Sequence, residues 1–130
     1  MVNSFEGRIV TGEPAGARVI GTDHFTVRPD GVGTIEAREL VSTDRYQTSA
    51  EVYGYATPPA GLQLPSLDVL LDPDFTWPDA WFTIDAFALY RTAAPGLVGL
   101  NRTAVSHRGR VNMGTGELLI EGRAVTAEAS

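Results

Sequence analysis

Two histidines and several acidic side chains are the groups in this sequence that could move protons. The unperturbed pKa of a histidine lies near neutrality, so His24 or His107 could exchange a proton with a bound molecule. Arg108 and Arg110 flank His107 and suggest a solvated hairpin end, and we therefore favour His24. A histidine that caps a turn or lies at the surface is the ordinary alternative for either position.

Acidic and aromatic residues alternate in two strand-like segments, 46–57 and 80–91. A solid core would avoid Asp, and a solvated face would hold fewer aromatic residues, so their odd positions fit the lining of a barrel that encloses a small ligand. An oligomer interface explains the mixture equally well. If these faces point inward, Glu51 and Asp85 share a partly apolar environment, which raises the pKa of a carboxyl group and suits it to act as a base. Ion pairs with Arg38 or Arg91 are the alternative.

We predict that His24, Glu51 and Asp85 are the catalytic proton carriers. The predicted substrate contacts are aromatic or hydrogen-bonding side chains, namely Tyr46, Tyr53, Tyr55, Trp81, Phe87, Arg38 and Asn101. A tyrosine combines a large apolar surface with a hydroxyl group that can bind a carbonyl or phenolate oxygen. Core packing is the ordinary role of any single one of them.

Composition excludes many kinds of chemistry. Zero cysteines exclude disulfides, iron–sulfur clusters and thiol nucleophiles. All 10 basic residues are arginines, which removes Schiff-base chemistry and the lysine of a P-loop. No two histidines stand at a metal-ligand spacing, and the acidic residues of 68–79 indicate a solvated loop. We expect no cofactor and no metal.

Size and charge indicate one acidic domain over 1–130. The net charge of −6 has the wrong sign for a nucleic-acid partner. No apolar run approaches the roughly 18 to 20 residues that span a bilayer. We therefore expect a cytoplasmic protein with neither a nucleic-acid nor a membrane partner.

Glycine and proline divide the chain into short segments rich in β-branched and aromatic residues, which favours an all-β fold. Arg28-Pro29-Asp30-Gly31 predicts a hairpin turn. Segment 58–78 reads as a long loop with one helical turn, and long loops often serve as lids. The other expected features are a loop through Gly12 and Pro14 and a bulge at Gly21. The predicted strands are 5–10, 17–27, 33–42, 46–57, 80–91, 97–108, 110–113 and 117–125.

Seven or eight antiparallel strands in so short a chain leave exposed edges unless the sheet closes or pairs with a second copy. We predict a single antiparallel β-barrel with one long loop. Symmetric pairing of small sheets is common, and we also expect a homodimer.

Several motifs resemble the domain of unknown function 3237 family. Residues 20–32 (IGTDHFTVRPDGV) are similar to its glycine-aspartate-tryptophan stretch and the turn that follows, and 35–38, 43–44 and 99–102 resemble later elements in the same order. The resemblance implies a closed antiparallel barrel. His24 stands where the family usually has Trp, and Thr83 where it has Arg, so the usual pocket is expected to be altered.

The resulting hypothesis is a cofactor-independent isomerase, cyclase, hydratase or lyase that acts on a small apolar oxygenated molecule by general acid and base catalysis. A non-catalytic carrier of such a molecule and an oligomeric assembly module are the alternatives.

Overall fold

The computed structural model describes residues 2–10 and 16–125. Seven antiparallel strands form one sheet in sequence order, so the predicted all-β fold is confirmed. The sheet curls into a half-barrel, and within the described residues its edge strands β1 and β7 do not pair. The predicted loop through Gly12 and Pro14 lies outside the described residues. The strands are β1 (Val2–Arg8), β2 (Arg18–Val27), β3 (Gly33–Ser42), β4 (Gln47–Thr57), β5 (Trp81–Arg91), β6 (Val105–Asn112) and β7 (Glu117–Ala124).

The predicted hairpin turn joins β2 to β3. Gly31 has a φ of 85°, a value that glycine adopts without steric cost. The N–H of Arg28 donates to the carbonyl of Val32 at 2.9 Å, and the N–H of Val32 donates to Asp30 Oδ1 at 3.1 Å. This turn fixes the register in which Phe25 lies opposite Ile35.

Two local predictions are wrong. Residues 97–108 are not one strand, because Pro95–Arg102 forms a 3-10 helix. At the start of this helix the N–H of Leu97 donates a hydrogen bond to the carbonyl of Ala94. Gly21 forms no bulge, since β2 pairs through it without interruption. A Cβ at Gly21 would overlap the ring of Phe5, so the glycine instead makes room for that side chain.

Small residues line the concave face of the sheet. Ala50, Ala56, Ala86 and Ala88 are buried there, and a Cβ at Gly54 would overlap the backbone of its neighbour on β5. Neighbouring strands can therefore curl sharply, because little side-chain volume has to fit on the inside of the bend.

The ends of the half-barrel are covered by loop segments. The long loop contains the predicted helical turn, α1 (Leu67–Leu70), and packs Trp77 edge-on against Phe25 and Phe82, with ring centroids 6.4 Å apart in both pairs. Leu100 of the 3-10 helix packs against the same core. Among the described residues, no helix is long and apolar enough to cross a membrane.

Candidate functional site

Most of the predicted site residues lie together on the convex face of the sheet. The odd-numbered side chains of β4 and β5 point away from the core, because the alternating partners Val52, Phe82 and Ile84 are buried. The prediction that this mixed face lines the interior is therefore wrong. Their assignment to a site stays a prediction. The residues on this convex face are His24, Arg38, Glu51, Tyr53, Tyr55, Trp81, Asp85 and Phe87.

The carboxylate of Glu51 has an ion-pair partner and a hydrogen-bond donor on the convex face. It lies 3.7 Å from Arg38, as the ion-pair alternative anticipated, and it accepts a hydrogen bond of 3.1 Å from the hydroxyl of Tyr53. That hydrogen bond raises the pKa of Tyr53. The rings of Tyr53 and Phe87 lie 5.8 Å apart. His24 is exposed and stands opposite Glu36 in the same transverse row.

Arginine side chains stack on the other convex aromatic residues. Arg110 lies 4.4 Å from the ring centre of Trp81, and Arg28 lies 5.5 Å from that of Tyr55. Asp85 pairs with Arg108 at 3.5 Å, not with Arg91.

The two remaining predicted residues lie outside the strands. Tyr46 precedes β4, and its N–H donates to the hydroxyl of Thr43 at 3.1 Å. Both the oxygen and the nitrogen of the Asn101 side-chain amide bind the backbone of Thr92: the oxygen accepts from its N–H at 2.8 Å and the nitrogen donates to its carbonyl at 2.9 Å. Asn101 therefore fastens the 3-10 helix to the end of β5.

The concave face holds a cavity of about 320 Å³, which we call the inner chamber. Apolar residues such as Phe25, Val52, Phe82 and Ile84 form most of its wall. Three titratable side chains also line it, namely Asp23, Glu39 and His107. A wider depression of about 870 Å³ shares Glu39 with the chamber and is also lined by Tyr90, Arg38, Glu51 and Asn101.

Tyr90 and His107 form a hydrogen-bonded pair between the two cavities, since His107 lines the inner chamber and Tyr90 lines the wider depression. Tyr90 Oη lies 2.8 Å from His107 Nε2, and the two rings are 6.0 Å apart. Burial lowers the pKa of His107, and burial together with the charge of Glu39 raises the pKa of Tyr90. The pair is therefore uncharged near neutrality, with a phenol next to a neutral imidazole.

His107 is buried, although its arginine neighbours in the sequence suggested a solvated hairpin end. Only 8% of the residue is exposed, whereas His24 is exposed. Arg108 and Arg110 flank His107 in sequence, but they alternate to the convex face and leave the histidine on the concave one. The preference for His24, which assumed that His107 is solvated, therefore rested on a wrong placement.

Glu39 is a carboxyl group in an apolar setting. Its side chain follows Ile35 and Ala37 on the concave face of β3 and forms no ion pair with any described residue. Burial raises its pKa from 4.5 to about 6. A group with that pKa is poised to take or release a proton near neutrality.

Asp23 supplies a second carboxyl group to the chamber. Burial raises its pKa from 3.8 to about 6. Its Oδ1 is buried, and among the described residues no group donates a hydrogen bond to it. Buried polar atoms rarely lack a partner, so this oxygen adds to the cost of ionising Asp23 in the folded state.

The inner chamber is lined by acidic side chains without a positively charged one to balance them. The chamber lining includes two carboxyl groups and no arginine, and the sequence contains no lysine. The arginines of the strands, among them Arg38, Arg108 and Arg123, alternate to the convex face. In the described part of the chain no three His, Asp or Glu side chains lie close enough to hold a metal ion.

No family model, curated protein or solved structure matches this chain. The resemblance to the domain of unknown function 3237 family therefore stays a prediction, and the functional argument rests on the geometry of the chamber.

Sequence reasoning gave Tyr90, Glu39 and Asp23 no leading role, although a signal for them was present. The even positions of β5 are apolar from Phe82 to Ala88, so Tyr90 continues the buried face. The turn at 28–31 pairs Phe25 with Ile35, and counting by twos from these two buried positions places Asp23 and Glu39 on the same side.

Proposed function

We propose that the chain is a cofactor-independent enzyme that acts on a small apolar oxygenated molecule in the inner chamber by general acid and base catalysis. The observation that carries the proposal is the 2.8 Å contact between Tyr90 Oη in the wider depression and His107 Nε2 at the inner chamber, whose lining also includes two carboxyl groups of raised pKa. Titratable groups perturbed by burial in a cavity mark sites of proton transfer.

The paired side chains suit the binding of a substrate oxygen. A neutral histidine carries one N–H, and when Nε2–H donates to Tyr90 Oη the phenol proton is directed to a guest. Hydrogen bonds in such a chain polarise one another, which strengthens the phenol as a donor. Positioned donors of this kind stabilise negative charge that develops on an oxygen.

Turnover of a panel of small apolar ketones, enones and phenols tests the proposal, with binding and products followed by NMR. We expect at least one compound to be converted, and Tyr90→Phe to lower kcat by about 100-fold, the lower range for loss of a general acid. Tyr53→Phe is the matched control on the convex face, and we expect it to change kcat less than about 2-fold.

Other outcomes have distinct meanings. Compounds that bind in the chamber and are never converted would show a carrier, the alternative function. Loss of turnover in Tyr53→Phe but not in Tyr90→Phe would place the site on the convex face with His24, Glu51 and Asp85. The ¹⁵N shifts of His107 report its tautomer, and an unprotonated Nε2 in the complex would contradict the hydrogen-bond chain.

The homodimer stays a proposal. Its support is that β1 and β7 are unpaired edges within the described residues and that Leu118, Leu119 and Ile120 on β7 are exposed. Sedimentation at high micromolar concentration tests it, and a strictly monomeric species would refute it.

A further inference from the structure

We infer that the substrate, bound where the inner chamber meets the wider depression, is an uncharged enolisable ketone, with Glu39 as the base that removes the proton next to the carbonyl group and Tyr90 as the donor to its oxygen. This inference rests on the proposed function and adds to it the substrate class and the role of each residue.

The charge of the chamber selects against anions. Asp23 and Glu39 line the chamber and no arginine does. Arg38 and Arg91 border the wider depression, but both alternate to the convex face of the sheet, so a carboxylate or phosphate between Glu39 and Tyr90 would meet like charge without a facing counterion. Most of the remaining wall is apolar. The volume of about 320 Å³ equals roughly ten water molecules at about 30 Å³ each. A neutral molecule with one or two small rings fits these conditions.

The sheet places Glu39 and Tyr90 on opposite sides of a gap. Both lie opposite Ala50 of β4, Glu39 on one neighbouring strand and Tyr90 on the other. Two strand spacings separate their Cα atoms by roughly 10 Å, and Ala50 leaves the space between them open. Side chains on the concave face of a curled sheet converge, so the two groups can reach one guest from both sides.

The reaction is a proton shift that needs no co-reactant. The Glu39 carboxylate takes a proton from the carbon next to the carbonyl group, and the C–H electron pair becomes a C=C bond while the carbonyl π pair moves to oxygen. Tyr90 keeps its proton and donates a hydrogen bond to that oxygen. Glu39 then returns the proton to the same carbon, or to the far end of the conjugated system in an unsaturated ketone.

Two further residues have supporting roles. His107 is a positioning residue, because it reaches the substrate only through Tyr90. Asp23 lies diagonally from Glu39 across β2 and β3, and in its protonated form it can donate a second hydrogen bond to the substrate oxygen.

The test is hydrogen exchange of 1-tetralone in D₂O, because this ketone has a single enolisable carbon. We expect the wild-type protein to accelerate deuterium incorporation at that carbon over buffer, as measured by ¹H NMR. Glu39→Gln preserves shape and is expected to slow the catalysed exchange by about 100-fold while 1-tetralone still binds. Tyr90→Phe is the second variant, with an expected loss of similar size.

Glu36→Gln is the matched control, since Glu36 lies on the same strand with its side chain exposed on the convex face. We expect it to leave the exchange rate unchanged. The anion 1-naphthoate, with a similar bicyclic skeleton, is expected to bind at least 10-fold more weakly than 1-tetralone, and equal binding would overturn the charge argument.

The inference and the proposed function fail separately. If 1-tetralone does not bind, or binds without exchange, and the only compounds of the panel that are converted lack an enolisable ketone, the ketone assignment is wrong and the enzyme proposal stands. Undiminished exchange in Glu39→Gln would remove Glu39 as the base. If no compound of the panel is converted and 1-tetralone shows no exchange, the proposed function itself fails.

Discussion

Glu39 and Glu51 are carboxylates on neighbouring strands, and the sheet gives them opposite environments. Glu51 points to the convex face, where it lies 3.7 Å from the Arg38 guanidinium and accepts a hydrogen bond from the hydroxyl of Tyr53. Glu39 points to the concave face, where burial raises its pKa to about 6 and no cation lies in the chamber lining. The side of the sheet, and not the residue type, decides which acid is suited to chemistry.

The largest expected contrast between the two faces concerns stability. Phe82 on the concave face is 2% exposed, and Phe87 on the convex face of the same strand is 47% exposed. Replacement by alanine should lower the free energy of unfolding by about 3–5 kcal/mol at Phe82 and by less than about 1 kcal/mol at Phe87. Urea denaturation measures both, and equal losses would show that the convex aromatic residues are covered.

The next contrast concerns the pH dependence of stability at Glu39. Its folded pKa of about 6 exceeds the ordinary value of 4.5, so the folded state binds the proton more tightly and loses stability as pH rises from about 4 through 6. Glu39→Gln removes this loss. The free energy of unfolding of the variant, measured relative to that of wild type, should therefore be about 2 kcal/mol higher at about pH 8 than at about pH 4.

The titratable groups near Glu39 are Asp23 from β2 and His107 from β6 in the inner chamber, and Tyr90 from β5 in the wider depression. They remain in both proteins, so the difference between variant and wild type isolates Glu39. The free energy of unfolding of Glu36→Gln should differ from that of wild type by less than about 0.5 kcal/mol at both pH values. If Glu39→Gln and wild type show the same change in the free energy of unfolding across this pH range, the Glu39 side chain is exposed to water in solution.

The smallest expected effect belongs to the convex ion pair of Asp85 and Arg108, which are 3.5 Å apart with both side chains exposed. A double-mutant cycle with Asp85→Ala and Arg108→Ala should give a coupling free energy below about 1 kcal/mol. The coupling should vanish in about 1 M salt because the charges are screened. A larger, salt-resistant coupling would show that this face is buried against something in solution.

Much of the fold is predictable from local sequence. The turn at 28–31 sets the register of β2 and β3, and the alternation from Phe82 to Ala88 identifies the buried side of β5. The 3-10 helix at 95–102 was missed because Val98 and Leu100 match a strand as well as a helix over so short a run.

The site was harder to locate because its deciding contacts join distant strands. The aromatic residue Trp81 suggested an interior face, yet Arg110 of β6 stacks on it in the open, a pairing that depends on the register of β5 and β6. The hydrogen bond between Tyr90 and His107 likewise crosses between these strands. Neither contact has a local sequence signal.

The unpaired edges of the half-barrel bear on how a substrate enters and leaves. Phe5 of β1 and Leu118 and Ile120 of β7 line the inner chamber, and the two β7 side chains are 47% and 39% exposed although they face inward. In a single copy of the chain a molecule can therefore diffuse in between the edge strands without the displacement of a gate, provided that the proposed homodimer leaves this side of the edges uncovered. Turnover should then be limited by bond making and breaking, and kcat should be insensitive to added viscogen.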